Sequence, residues 1–450
     1  MRWFSLVLAA LLLAGCATTR VAEPASLDAL AREYVGLTLE IGERDEGYVD
    51  AYYGPAEWRE AARANPRALP ALAAAAAELQ ARLAAISVPA DSPDARRIAF
   101  LNAQLTAART RLRMLQGERL SFAEEAQGLY GVTPQLLPLS HYDPIVDRIG
   151  RLVPGEGPLP ERVDAFQNRF TIPQGRLDAV VRAAIDECRR RTLAHIQLPP
   201  GERFTLEFVT GRSWSGYNWY QGHYTSLIQV NTDLPVRLSR AVDLGCHEGY
   251  PGHHAYNALL EQKLARGRNW PEFMVYPLYS PQSFIAEGSA NYGIELAFPG
   301  EERLEFETRM LYPLAGLSTA GARAYFELQE ALQELAGARF TIARDYLEGR
   351  ISRAQAIELT QHYQLVSRQR AEQSVAFTDQ YRAYVINYGL GRDMVAAFVE
   401  ALGRDGPEVR WAAMELILSE PTLPADLTRE WRWEVGPLQP APGSGRNTDR

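Results

Sequence analysis

The chain has 450 residues, 46% of them hydrophobic and 23% charged, with a formal charge of -8. That is a globular composition, long enough for one large domain or two smaller ones, and its acidic balance argues against a nucleic-acid partner, which needs a basic face. It contains one lysine, Lys263, so nearly all lysine chemistry is excluded: no G-x-x-x-x-G-K-[ST] phosphate loop exists, and any Schiff base would have to form on Lys263.

Met1 to Ala14 is one arginine followed by an apolar run of about a dozen residues, a pattern that matches a secretory signal and is too short to span a bilayer. The run closes with Leu13-Ala14-Gly15-Cys16, which resembles the bacterial lipobox. Residues 1–15 are therefore expected to be a lipoprotein signal peptide, Cys16 the lipidated residue, and 16–26 a tether. Ala17 is not the aspartate of inner-membrane retention, which implies an anchor in the outer membrane facing the periplasm. Three cysteines cannot make a disulfide framework for this length, and Cys188 and Cys246 are expected to be reduced packing residues.

Residues 27–200 read as an N-terminal helical region. Leu27 to Ile41 carries apolar residues at three- and four-residue spacing, Leu69 to Ile86 is rich in alanine and leucine, and Ser92 to Gln116 repeats the amphipathic pattern through Ile98, Leu101, Leu105, Leu112 and Leu115. Proline and glycine at 153–158 and 199–201 separate further helices, one of them within Pro173 to Arg191. Residues 201–435 form the expected catalytic region. It opens on Phe204 to Val209 and Tyr224 to Val230, which pattern as strands of a small sheet, and returns to helical spacing from Leu238 to about Arg432. The polar, proline- and glycine-rich residues 436–450 should be a disordered tail. The fold class expected is mainly α, with a small β-sheet ahead of a metal-binding helix.

Three of the seven histidines fall in Cys246-His247-Glu248-Gly249-Tyr250-Pro251-Gly252-His253-His254. Neutral imidazoles ligate zinc, and a glutamate beside the first histidine is where zinc peptidases keep their general base. The usual spacing is H-E-x-x-H, one helical turn. Here the turn lands on Pro251, and in an unbroken helix His254 would sit about 10 Å along the axis from His247, too far to share an ion. Pro251 and Gly252 allow the helix to bulge and bring a later histidine back. His253 is favoured as that ligand, with His254 its competitor or else a residue bordering the ligands or substrate. Glu287, near the start of the helical stretch Phe284 to Tyr292, is the best third ligand, and its neighbours Gly288, Ser289 and Ala290 are small enough for close packing on the histidine helix. Asp243 and Asn291 are candidates to orient ligands.

The series His-Glu-x-x-Pro-Gly-His-His and Glu-Gly-x-Ala-x-Tyr resembles the signature of a large, mostly helical bacterial family of candidate lipoproteins known as a domain of unknown function. That family is similar in turn to the glutamate-liganded (gluzincin) zinc peptidases, such as thimet oligopeptidase and the thermostable helical carboxypeptidases. Tyr388 and Gly391 fall at the places of the family's Tyr-x-x-Gly segment; Ser289 stands where the family has tryptophan. The resemblance implies a helical metallopeptidase fold holding Zn2+, with Glu248 as general base. Tyr388 is the first choice of oxyanion donor, ahead of Tyr384, Arg382 and His223. The segment Tyr224 to Val230 is implied as the substrate-binding edge strand.

The function expected is a lipid-anchored, periplasm-facing zinc metallopeptidase acting on short peptides. The alternative is a non-catalytic lipoprotein that binds peptide or envelope components, for which Glu248 would have no use.

Overall fold

The computed structural model describes residues 26–428; Cys16, the signal peptide, nearly all of the tether and the C-terminal tail lie outside these residues. Helices form where the periodicity places them. Leu27–Gly42 starts at Ser26, whose hydroxyl accepts from the Ala29 amide; Leu69–Ala84 follows. Pro93–Leu115 starts at Ser92, with proline in its first turn where no amide donor is missed. Leu177–Leu193 completes the N-terminal set. The hydrophobic core that these helices build runs from Leu30 to Leu427 and so joins the two regions distinguished in the sequence. Across it, Arg97 spans from Asp28 to the buried Glu272, bonding both carboxylate oxygens of the latter.

Five strands are present among the described residues: β1 (Val49–Tyr52), β2 (Arg203–Val209), β3 (Gly216–Gly222), β4 (Thr225–Asn231) and β5 (Val275–Pro277). β1 and β5 pair antiparallel; the other three form a sheet in the order β2-β4-β3, with β2 parallel and β3 antiparallel to β4. The expected strand at Tyr224 to Val230 exists as β4, but it is the centre of the sheet and not its edge. Hydrogen bonds on both sides occupy its backbone, so it cannot take an added strand. The edge beside the histidine segment is β3, whose sequence Gly-Tyr-Asn-Trp-Tyr-Gln-Gly lacks apolar alternation and escaped the sequence reading.

A second, smaller hydrophobic cluster lies apart from the main core. Val146, Leu328, Ile342, Ile357 and Val375 mark it, drawn from helices that include Ala322–Gln333, Ala336–Leu347, Arg353–Gln364 and Arg368–Tyr381. Between the two clusters lies a cavity of about 630 Å³.

Candidate metal centre

The histidine segment does not continue as one helix. Ser239–Leu244 widens into a π-helical turn, Gly245–Gly249; Tyr250 is extended, the Tyr250–Pro251 peptide is cis, and a new helix, His253–Leu260, begins after Gly252. Proline removes a donor from the ladder, and Gly252 folds its backbone so close that a Cβ there would stand 1.9 Å from the His247 carbonyl oxygen. The break turns His253 back over His247: their rings lie perpendicular with centroids 4.7 Å apart.

Glu287 comes from the helix Pro281–Ala297. Its Oε2 is 3.2 Å from His247 Nε2 and its Oε1 3.7 Å from His253 Nε2. Ligands at about 2.0–2.1 Å from a tetrahedral ion stand about 3.3 Å from one another, so these separations fit an ion among the three side chains. Candidate ligand atoms of the three all lie within 4.8 Å of one another. Glu287 Oε2 is buried and has no polar neighbour but His247 Nε2, with which its hydrogen-bond geometry is poor, and a carboxylate oxygen left so is costly unless a cation meets it. The residues therefore fit a divalent metal. Tyr384 donates to Glu287 Oε1 at 2.9 Å and fixes the carboxylate. Burial raises the pKa of Glu287, but His247, His253 and Tyr384 outweigh it and hold the group below the ordinary carboxylate value. Burial lowers His253 to about 4, so this imidazole is neutral and able to ligate.

Glu248 follows His247 and faces the same cavity. It is buried, and burial together with Glu287 and Asp50 raises its pKa to about 7 against the opposing effects of His247 and Arg240. β3 passes directly beside it: a Cβ on Gly216 would lie 2.9 Å from Glu248 Oε1. Asn218 donates to the Glu248 carbonyl at 2.6 Å. Asp50 of β1, which no local motif marks, also faces this cavity and bonds the Tyr217 hydroxyl; burial raises its pKa to about 7.

The remaining candidates separate clearly. Tyr388 borders the cavity with its ring 6.4 Å from that of His247. Asn291 also borders it, but its amide donates to the Glu287 carbonyl, not to a ligand side chain. His254 points away from the cavity: Nδ1 meets Ser226 Oγ at 2.8 Å and Nε2 meets Glu202 Oε2 at 2.9 Å, so both ring nitrogens are occupied in a buried network. Successive positions on a helix diverge by about 100°, which is why only one of the two adjacent histidines turns to His247 and Glu287. His223 sits in the β3–β4 turn against Arg266, and Arg382 pairs with Glu125; neither borders the cavity. Asp243 orients no imidazole, being bound to Arg240 and Arg303. The close packing expected at Gly288 exists, but on Gly391 of the helix Ile386–Leu402; it is Gly293 that packs on Pro251.

The two remaining cysteines are not reduced. Cys188 and Cys246 form a disulfide that ties the helix Leu177–Leu193 to the residue before His247. With Cys16 assigned to lipid, an even pair was left; their separation of 58 residues concealed that they meet.

No family model matches the chain, and no curated protein matches it. Among solved structures it is similar to a candidate lipoprotein from Colwellia psychrerythraea, at 15% identity and a TM-score of 0.48 over 79% of this chain and 65% of that one. It is also similar to a protein designated BsuCP, at 12% identity and a TM-score of 0.39 over 88% of each chain. A third likeness is to the M32 carboxypeptidase from Deinococcus radiodurans R1, at 16% identity and a TM-score of 0.35 over 89% and 92%. The chain thus spans about 65% of the length of the Colwellia protein. No helix among the described residues is long and apolar enough to cross a membrane.

Proposed function

We propose that this chain is a zinc metallopeptidase of the cell envelope, lipid-anchored through Cys16 on the periplasmic side of the outer membrane, that hydrolyses short peptides. The observation that carries the reading is the meeting of His247, His253 and Glu287 beside a glutamate whose pKa is raised to about 7. Two imidazoles and a carboxylate are a donor set that suits zinc. When bound, the ion would polarise the substrate carbonyl and acidify water towards a pKa of about 7.

Glu248 accepts the proton of the attacking water and returns it to the nitrogen of the leaving amine as the C–N bond breaks; a carboxylate with its pKa near 7 suits both transfers. Tyr388 points its ring at the same space, and its hydroxyl is the donor assigned to the oxyanion. Tyr384 stays on Glu287 and keeps that ligand aimed. The free side of β3, with Gly216 against Glu248, supports main-chain pairing with an extended peptide, the role first given to β4. A recessed cavity between two hydrophobic clusters favours short substrates over folded ones. The lipobox supports the anchor, and the Cys188–Cys246 disulfide accords with an oxidising compartment.

The test is metal analysis of the purified protein followed by assay on a mixed library of short peptides. Stoichiometric zinc, with cleavage abolished by chelation and restored by added zinc, is expected. Protein that binds no metal, or whose cleavage survives complete chelation, contradicts the proposal.

A further inference from the structure

The wall of the cavity that the smaller helical cluster builds carries an arginine with no anion to answer it. Arg339, on the helix Ala336–Leu347, makes no hydrogen bond or ion pair among the described residues, and its Nε is buried without a partner. Its guanidinium lies over the rings of Phe377 at 5.0 Å and Tyr388 at 6.0 Å. Burial lowers its pKa below the usual arginine value. The two other arginines at the cavity differ: Arg240 is paired with Asp243, while Arg370 donates to the Pro235 carbonyl and stands 3.9 Å from Asp164. A second donor also faces the cavity unanswered. Gln364, the last residue of the helix Arg353–Gln364, has a buried Nε2 with no partner. Arg339 and Gln364 together border an adjoining space of about 10 Å³.

The Arg339 Nε, withdrawn from water without a partner, adds nothing to the fold, so replacing the side chain by a neutral one should cost little beyond its ring contacts. The planar fork of the guanidinium matches a carboxylate in bidentate fashion, and stacking on aromatic faces leaves the edge donors free. The Tyr388 ring links it to the candidate metal centre, lying 6.4 Å from the His247 ring and 6.0 Å from the Arg339 guanidinium. With an extended residue spanning about 3.3–3.6 Å, the two distances keep Arg339 within reach of a few peptide residues from a carbonyl held at His247 and Glu287. We infer that Arg339 and Gln364 form a subsite for the C-terminal carboxylate of a peptide, which makes the hydrolysis a carboxypeptidase reaction. Water adds its oxygen to the carbonyl carbon, the C–N bond breaks, and the leaving nitrogen takes a proton; the products are a shortened peptide acid and a free amino acid or dipeptide. The direction of cleavage rests on the peptidase proposal, whereas the carboxylate subsite does not.

The experiment is equilibrium binding of three blocked dipeptides to the full chain after chelation: N-acetyl-Phe-Phe as free acid, the same peptide as C-terminal amide, and N-acetyl-Phe-Glu amide. The wild type should bind the free acid about 10- to 100-fold more tightly than either amide, the range of a charge-assisted hydrogen-bonded pair. Arg339→Gln should lose that preference with its Tm close to that of the wild type; Gln364→Leu should reduce it several-fold and gives an independent check. Equal binding of acid and amide by the wild type, or preference kept in Arg339→Gln, overturns the subsite. Binding of the glutamyl amide as tight as that of the free acid overturns its assignment to the C-terminus. If the preference holds but the zinc-loaded protein cleaves no peptide, the subsite stands and the peptidase proposal falls.

Discussion

The two walls of the central cavity leave opposite kinds of polar atoms unsatisfied. On the wall built from the main core, the buried atoms without a hydrogen bond at the cavity are acceptors, Asn218 Oδ1 and Glu287 Oε2, the latter with only His247 near it; on the wall built from the smaller helical cluster they are donors, Arg339 Nε and Gln364 Nε2. Each orphan is expensive within a protein that pairs its other charges widely, as in Arg303 with Asp243 and Glu307. The difference teaches that one wall is short of a cation and the other of an anion, so a metal and a substrate carboxylate would complete the site from two sides.

The largest effects should come from the acceptor wall. His253→Ala or Glu287→Ala should lose stoichiometric metal by elemental analysis and bring hydrolysis to background, while Arg339→Gln keeps its metal; loss of metal from both walls would erase the comparison. Tyr384→Phe, which frees the Glu287 carboxylate, should weaken metal affinity or activity about 10- to 100-fold, measured by competition with a chromogenic chelator. Replacing Cys188 and Cys246 together by alanine should lower stability by about 2–5 kcal/mol in denaturant titration. Because the bridge is anchored beside His247, metal affinity should fall as well.

The smallest effect concerns the buried network behind the metal wall. Burial raises the pKa of Glu202, but His254, Tyr250 and Arg189 overcome it and hold the group at about 2, below its ordinary 4.5. A depressed carboxylate contributes stability that is present above 4.5 and lost as pH falls towards 2. Glu202→Gln should therefore flatten the pH dependence of unfolding in that window, with little change in metal binding at neutral pH.

Much of the helical frame was legible, because periodicity and serine caps at Ser26 and Ser92 act over a few residues. The histidine cluster was legible as a candidate metal site for the same reason, since Pro251 and Gly252 announce a break just where the spacing demands one. What escaped depends on residues distant in the chain. β3 has no apolar alternation and is a strand because β4 pairs with it. Asp50 reaches the site through the β1–β5 pairing and its bond to Tyr217 of β3, and Arg339 lies in a helix whose sequence does not show that its guanidinium lacks a partner. Lys263 is exposed and borders no part of the cavity.

The most direct measurement compares Glu248→Gln with the wild type in metal content and in peptide hydrolysis on the same preparation. The expected result is an unchanged equivalent of zinc with hydrolysis reduced about 10²- to 10⁴-fold, the contribution of a general base. Full activity in Glu248→Gln with zinc retained would contradict the assignment of metal-assisted hydrolysis to this site.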